Sequence, residues 1–297
     1  MTPLPRGTCR RRHWAESGLY HLRESCMRVR LSAVLATVLL LGAAVPIAAV
    51  HPALHCTAPD EMTRLQVTLP HTARAIRRGQ ALLIVAIGSS STQGVGASDQ
   101  AHTYPALLAA ELQRRWPRLA VSVVNKGIGG ETAEQMLARF TPDVLPYRPQ
   151  LVIWQTGSNQ LLTSEDVQGY ESTVRQGVAR LKAADSDVIL LDPQYAPHLL
   201  AHPRHQAIVD TVRRVANDLH VAVFQRFAVM RHWVTSGQYR LEDIIARDRL
   251  HMNDASYYCI ARLLADSLVL AALATPPPPT DGPGTRDSEL SAGIHTQ

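Results

Sequence analysis

Seven consecutive apolar residues, Ala81-Leu82-Leu83-Ile84-Val85-Ala86-Ile87, run without a polar interruption and stop at Gly88. A strand with one face in water alternates apolar and polar side chains. An unbroken run rich in branched residues belongs instead to a strand covered on both faces, as in a parallel sheet. The pattern downstream agrees with this reading. A helix is expected over 103–116, with Thr103 as its cap, Pro105 in the first turn, Leu107, Leu108 and Leu112 on one face, and Pro117 as its terminator. Strands are then expected over 120–125, 151–155, 188–192 and 221–224. They alternate with helices over 132–140, 164–184 and 205–219, and further helical segments reach Leu273. Five strands separated by helices require right-handed crossovers and form one open sheet with helices on both faces. No shift in composition divides 60–272, so one α/β domain is expected over 51–274.

The flanks have another character. Arg28-Val29-Arg30 precedes an almost continuous apolar run from Leu31 to Val50, with small residues at Ala48 and Ala49, and this pattern reads as a secretory signal. About 20 apolar residues also suffice to cross a bilayer, so the second reading of 27–50 is an uncleaved membrane anchor, which would be the chain's only membrane contact. Met27 stands directly before the arginines and reads as the start of translation, with 1–26 an extension. The expected location is therefore outside the cytoplasm, periplasmic or extracellular. At the other end, 275–297 contains Pro276-Pro277-Pro278-Pro279 and no apolar face, the composition of a disordered tail.

The net charge of +5 does not imply a nucleic-acid partner. Residues 1–50 hold seven of the 30 Lys and Arg but two of the 25 Asp and Glu, so the rest of the chain carries 23 of each. A neutral body has no footprint for a phosphate backbone. Loss of the leader also removes Cys9 and Cys26. Cys56 and Cys259 remain, and they are either bonded to each other or two buried thiols.

Four short clusters carry the chemistry: Gly88-Ser89-Ser90-Ser91, Gly127-Ile128-Gly129-Gly130, Gly157-Ser158-Asn159 and Asp248-Arg249-Leu250-His251. The first three follow expected strands, and in an open α/β sheet ligands gather at the carboxyl ends of strands. Ser90 is the candidate nucleophile, and a serine hydroxyl needs a base within hydrogen-bond reach. His251 is the candidate base. Asp248, three residues earlier, is close enough for one turn to set its carboxylate against Nδ1 and leave Nε2 facing Ser90. The Ser90 and Gly130 N–H groups and the Asn159 amide are candidate donors to a developing oxyanion. Each cluster alone has a plainer reading as a serine-rich turn, a tight glycine turn, a bracing asparagine or a capped turn. Asn253 or Asp254 is expected to cap the last helix. Gln194 and Tyr195, in Asp192-Pro193-Gln194-Tyr195 after the fourth strand, are candidates for a substrate-pocket wall, with a simple proline turn as the alternative.

Taken in order, the four clusters resemble the SGNH subgroup of the GDSL hydrolases, from about Ile84 to Leu264. The resemblance implies a flavodoxin-like three-layer α/β/α sandwich with a five-stranded parallel sheet. It puts the family's nucleophile on Ser90, its acid and base on Asp248 and His251, and its oxyanion glycine and asparagine on Gly130 and Asn159. It also implies esterase, acylesterase or deacetylase activity on lipids or acylated carbohydrates, with no metal or cofactor. Ser89 stands where the name-giving motif has aspartate, and Gln160 where aspartate usually follows the asparagine; neither position supplies a triad group.

Competing readings are weaker. The segment 88–94 lacks the lysine and spacing of a phosphate loop. His198, His202 and His205 have helical metal-ligand spacing, but Pro203 interrupts them and no carboxylate completes a set. His232 has no aspartate at matching spacing. A secreted glycan-binding domain without turnover, or an acyltransferase using the same triad, stand as the alternatives to hydrolysis.

Overall fold

The computed structural model describes residues 54–163 and 166–274, so the expectations for 1–26, for the 27–50 leader and for the 275–297 tail lie outside the described residues. Five strands, β1 (Leu82–Gly88), β2 (Val121–Gly127), β3 (Leu151–Gln155), β4 (Asp187–Leu191) and β5 (Ala222–Phe224), pair in parallel in the order β2-β1-β3-β4-β5. This is the strand order of a flavodoxin-like doubly wound sheet.

The two-residue period of a strand explains the layers. β1 directs Leu82, Ile84 and Ala86 into one core and Val85 and Ile87 into the other; β3 divides Leu151 and Ile153 from Val152 and Trp154 in the same way. The first core is closed by Leu108 and Leu112 of helix Tyr104–Arg115, Trp233 of helix Arg226–Thr235, and Ile260 and Leu264 of helix Asp254–Ala274. The second is closed by Met136 of helix Ala133–Ala138, Val174 and Val178 of helix Val167–Ala183, and Val212 and Val215 of helix His205–Leu219. Burial on both faces is why the β1 and β3 runs are continuously apolar, whereas the edge strand β2 is only half-buried and carries Ser122 and Lys126. The helix Asp254–Ala274 is long and apolar enough to cross a bilayer, yet Tyr257, Ile260, Ala261, Leu264 and Leu268 are buried in the first core.

The helix expected over 132–140 stops at Ala138 and is followed by a separate turn, Phe140–Asp143, which contains Pro142. The polar segment before β1 contains the helix Pro70–Arg77, its amino end held by the Asp187 carboxylate, which accepts from the Thr72 N–H at 2.8 Å.

Cys56 and Cys259 are joined by a disulfide, their Cα atoms 4.8 Å apart and their positions separated by 203 residues. The bond fixes the segment entering the domain to the second turn of its last helix. A loop of that length stabilises a fold by about 5 kcal/mol when the bond acts by restricting the unfolded chain. Urea unfolding of the Cys56→Ser variant should show a loss of that order; a midpoint equal to that of the oxidised parent would mean that the bond contributes nothing.

Candidate active site

The chain leaves β1 toward β2 on one side and returns to β3 on the other, the reversal of strand order at which open α/β sheets bind ligands at the carboxyl ends of their strands. β1 ends in Gly88, and Ser89 begins a tight helical turn, Ser90–Gln93. Ser90 is the first residue of that turn and is partly exposed, while Ser89 and Ser91 are buried.

Neighbouring loops fix this turn. The Gln155 carboxamide at the end of β3 is fully buried, and its Oε1 accepts from Ser89 N–H at 2.8 Å, Ser89 Oγ at 3.0 Å and Thr92 Oγ1 at 3.2 Å. Near the end of β2, Asn125 Nδ2 donates to the Thr92 carbonyl at 2.8 Å, while its Oδ1 accepts from Gly127 N–H at 2.9 Å. A Cβ on Gly127 would lie 2.0 Å from the Gln93 nitrogen, so only glycine lets the β2 loop approach the Ser90 turn this closely.

The loop before the final helix supplies the other two groups. His251 Nε2 lies 2.8 Å from Ser90 Oγ, and His251 Nδ1 lies 2.6 Å from Asp248 Oδ2. Asp248 Oδ1 accepts from the Leu250 and His251 N–H groups, each at 2.9 Å. Partial burial alone would raise the Asp248 carboxyl, but hydrogen bonds from the His251 N–H, the His251 ring and the Leu250 N–H outweigh it and hold the group at about 2. An ionised carboxylate only accepts, so Nδ1 carries the hydrogen in the neutral ring and Nε2 is left to accept from Ser90. Packing keeps the loop in place: Gly96 has φ +93°, and a Cβ there would lie 2.2 Å from the Met252 carbonyl oxygen and 3.0 Å from His251 Cβ.

The remaining candidates also have definite places. Gly130 has φ +81° and is exposed, whereas Gly127 and Gly129 do not adopt a positive φ. Asn159 lies near the start of helix Ser158–Thr163, and its Nδ2 donates one hydrogen to the Glu131 carbonyl at 2.9 Å. That bond holds the asparagine beside the Gly130 segment. Glu131 is itself paired with Arg139 at 2.6 Å. Asn253 Oδ1 accepts from Ser256 N–H at 3.2 Å, the capping geometry, while Asp254 Oδ1 accepts from Ser98 N–H at 2.8 Å.

Gln194 does not line an open pocket: it is 1% exposed, with both ends of its amide in hydrogen bonds. Tyr195 is half-buried and packs edge-on against Phe227, ring centroids 5.3 Å apart. Burial of the residues after β4 turns the Gln194 side chain inward. Gln155 and Asn125 are functional residues that sequence reasoning misses; the signal that could find Gln155 is a polar side chain closing the apolar run of β3. Asp99 and His102 repeat the three-residue spacing of Asp248 and His251 at 2.8 Å, but Ser98 Oγ also meets Nδ1 rather than Nε2. His202 Nδ1 accepts from Arg204 N–H, and His205 Nδ1 donates to the His202 carbonyl, so backbone groups engage two of the three clustered histidines. Cavities of about 460 and 570 Å³ open elsewhere, around Asp187 and His220 and around Arg148 and Gln150, and include none of the candidate residues.

Known proteins resemble the chain over most of the described residues. The non-GDSL lipase-like family matches residues 55–274. An acetylxylan esterase of Geobacillus stearothermophilus is 27% identical over 192 residues, 59% of this chain and 85% of that protein. The thioesterase 1/protease 1/lysophospholipase L1 of Escherichia coli is 32% identical over 115 residues, 39% of this chain and 52% of that protein. Among solved structures, a two-domain esterase active on acetylated mannans superposes with a TM-score of 0.61 at 20% identity, covering 77% of this chain and 60% of that one, and so shares the fold.

Two outcomes follow from the geometry. Gly127→Ala should lower turnover by about 100-fold by displacing the Ser90 turn, read as kcat beside an unchanged circular dichroism spectrum; parental kcat would show that the close approach is dispensable. The Asp248 carboxyl is lowered from its ordinary 3.8, so its contribution to stability is present above about pH 4 and lost as pH falls through about 2. The stability difference between the parent and Asp248→Asn should therefore stay flat above pH ~4 and shrink below it; a difference that shrinks near neutrality would contradict the low value.

Proposed function

The chain belongs to the non-GDSL lipase-like family and stands among ester-bond hydrolases, and from that premise we propose that it is an exported serine esterase removing acetyl groups from carbohydrate. The observation that carries the reading is the 2.8 Å contact of Ser90 Oγ with His251 Nε2, backed by Asp248 at 2.6 Å. In the proposed reaction Ser90 Oγ attacks the ester carbonyl carbon while its proton passes to His251 Nε2. The same proton then goes to the departing sugar alkoxide, leaving an acyl group on Ser90. A water deprotonated by His251 attacks that acyl group, and the product acid and free Ser90 result. Asp248 holds the ring in the required tautomer and stabilises the imidazolium. The oxyanion accepts from the Ser90 and Gly130 N–H groups and from the second hydrogen of Asn159 Nδ2.

Relatives support the substrate class: one bears the name acetylxylan esterase, and a structural neighbour is described as active on acetylated mannans. Exposed Ile128 and Leu162, beside Gly130 and Asn159 in sequence, offer apolar contacts to an acyl methyl or a sugar face. Export is supported by the pattern of 27–50 and by the Cys56–Cys259 bond, since disulfides persist in oxidising compartments.

A fluorophosphonate should label the protein at Ser90, and Ser90→Ala should lose both labelling and hydrolysis while keeping the fold. Asp248→Asn should cost up to about 10,000-fold in kcat. Acetylated xylan and mannan should release acetate faster than long-chain esters release fatty acid. Labelling at another residue would refute the nucleophile, and a preference for long acyl chains would refute the substrate class.

A further inference from the structure

Both ends of the buried Gln194 amide are fixed by partners that act in only one sense. Arg226, fully buried, donates from Nη2 to Oε1 at 3.1 Å, and a guanidinium cannot accept. At the other end Nε2 donates to the Leu250 carbonyl at 3.0 Å, and a carbonyl cannot donate. Oxygen and nitrogen are therefore assigned by chemistry. The same Oε1 accepts from Ser91 Oγ at 3.2 Å and from Ser158 Oγ at 3.0 Å. One side chain thus contacts the residue after Ser90, the residue before Asn159 and the residue before His251.

The His251 loop needs such an external tether. Arg249 adopts φ +60°, a left-handed conformation unfavourable for a side chain with a Cβ. Within the loop the Ala246 N–H donates to the His251 carbonyl at 2.8 Å, and from outside the His198 N–H donates to the Arg249 carbonyl at 3.2 Å. Gln194 is the tether that connects this loop to the nucleophile turn. Its own anchor is buried: Arg226 Nε donates to the Asp192 carbonyl at 2.9 Å, and the Asp192 carboxylate accepts from the Phe227 N–H at 2.8 Å.

We propose that Gln194 is a positioning residue for the reaction, setting Ser90, Asn159 and His251 in register from beneath through Ser91, Ser158 and the Leu250 carbonyl. The inference rests on the serine-esterase reading and adds to it a residue that does not touch substrate. Its consequence is kinetic. A tether that fixes the relative places of nucleophile, base and oxyanion donor affects the chemical step, whereas substrate binding depends on the walls of the crevice.

The test is Gln194→Glu, which keeps the shape and the Arg226 contact but sets a carboxylate oxygen against the Leu250 carbonyl. We expect kcat to fall about 10- to 100-fold, with KM within about two-fold of the parent. The low-field NMR signal of the His251–Asp248 hydrogen should shift or broaden. Ser91→Ala and Ser158→Ala each remove one contact and should lower kcat by smaller factors; they decide the matter if Gln194→Glu does not fold. Parental kcat and an unmoved proton signal in Gln194→Glu, or parental kcat in both serine variants, would overturn the proposal. Failure of the parent to label at Ser90 would refute the esterase reading instead, and the proton signal would still report whether Gln194 positions His251.

Discussion

A contact of 2.8 Å between Ser90 and His251 joins positions 161 residues apart, and the local chemistry of the carboxyl edge of the sheet is organised around it. Hydrophobic burial on both faces of the sheet brings the two segments near one another, but burial is non-directional and does not orient a hydroxyl toward an imidazole. Orientation comes from polar groups at strand ends. Gln155 at the end of β3 holds Ser89 and Thr92, Asn125 in β2 holds the Thr92 carbonyl, and Asp248 accepts two backbone N–H groups of its own loop. Gly127 and Gly96 complete the arrangement by leaving room where a methyl group would strike backbone.

The electrostatics of the site follow from where its charges lie. The Asp248 carboxylate is partly exposed, yet three hydrogen bonds favour its charged form. Asp192, fully buried beneath the site, is pushed by burial up to about 6, although the Phe227 N–H and the charges of Arg213 and Arg226 favour its ionised form. Arg226 donates to the Asp192 backbone carbonyl, while the Asp192 carboxylate faces Arg213 at 3.6 Å; Arg226 serves as a fixed anchor for the Gln194 amide. In the position after Gly88, Ser89 is neutral and is bonded to neutral Gln155.

Much of this was legible from sequence because its causes are local. The β1 and β3 runs declare burial on both faces, and their observed spans, Leu82–Gly88 and Leu151–Gln155, lie within a residue of expectation. The Asp248–His251 spacing declares its contact because a single turn makes it. Other features depend on partners far along the chain. Gln194 stands in a proline-containing turn, and sequence alone does not distinguish a side chain facing a crevice from one facing inward; the structure places it among Ser91, Ser158, Arg226 and Leu250. Asp99–His102 has the same spacing as Asp248–His251 without a serine at Nε2, so spacing alone does not identify a relay.

Ser90 Oγ is the atom proposed to carry the acyl group. Acid quenching during turnover of an aryl acetate, followed by peptide mass mapping, measures this directly. An added acetyl on the peptide containing Ser90, absent in Ser90→Ala, is the predicted result. Sustained turnover with that peptide unmodified and the acetyl on another side chain would contradict the account.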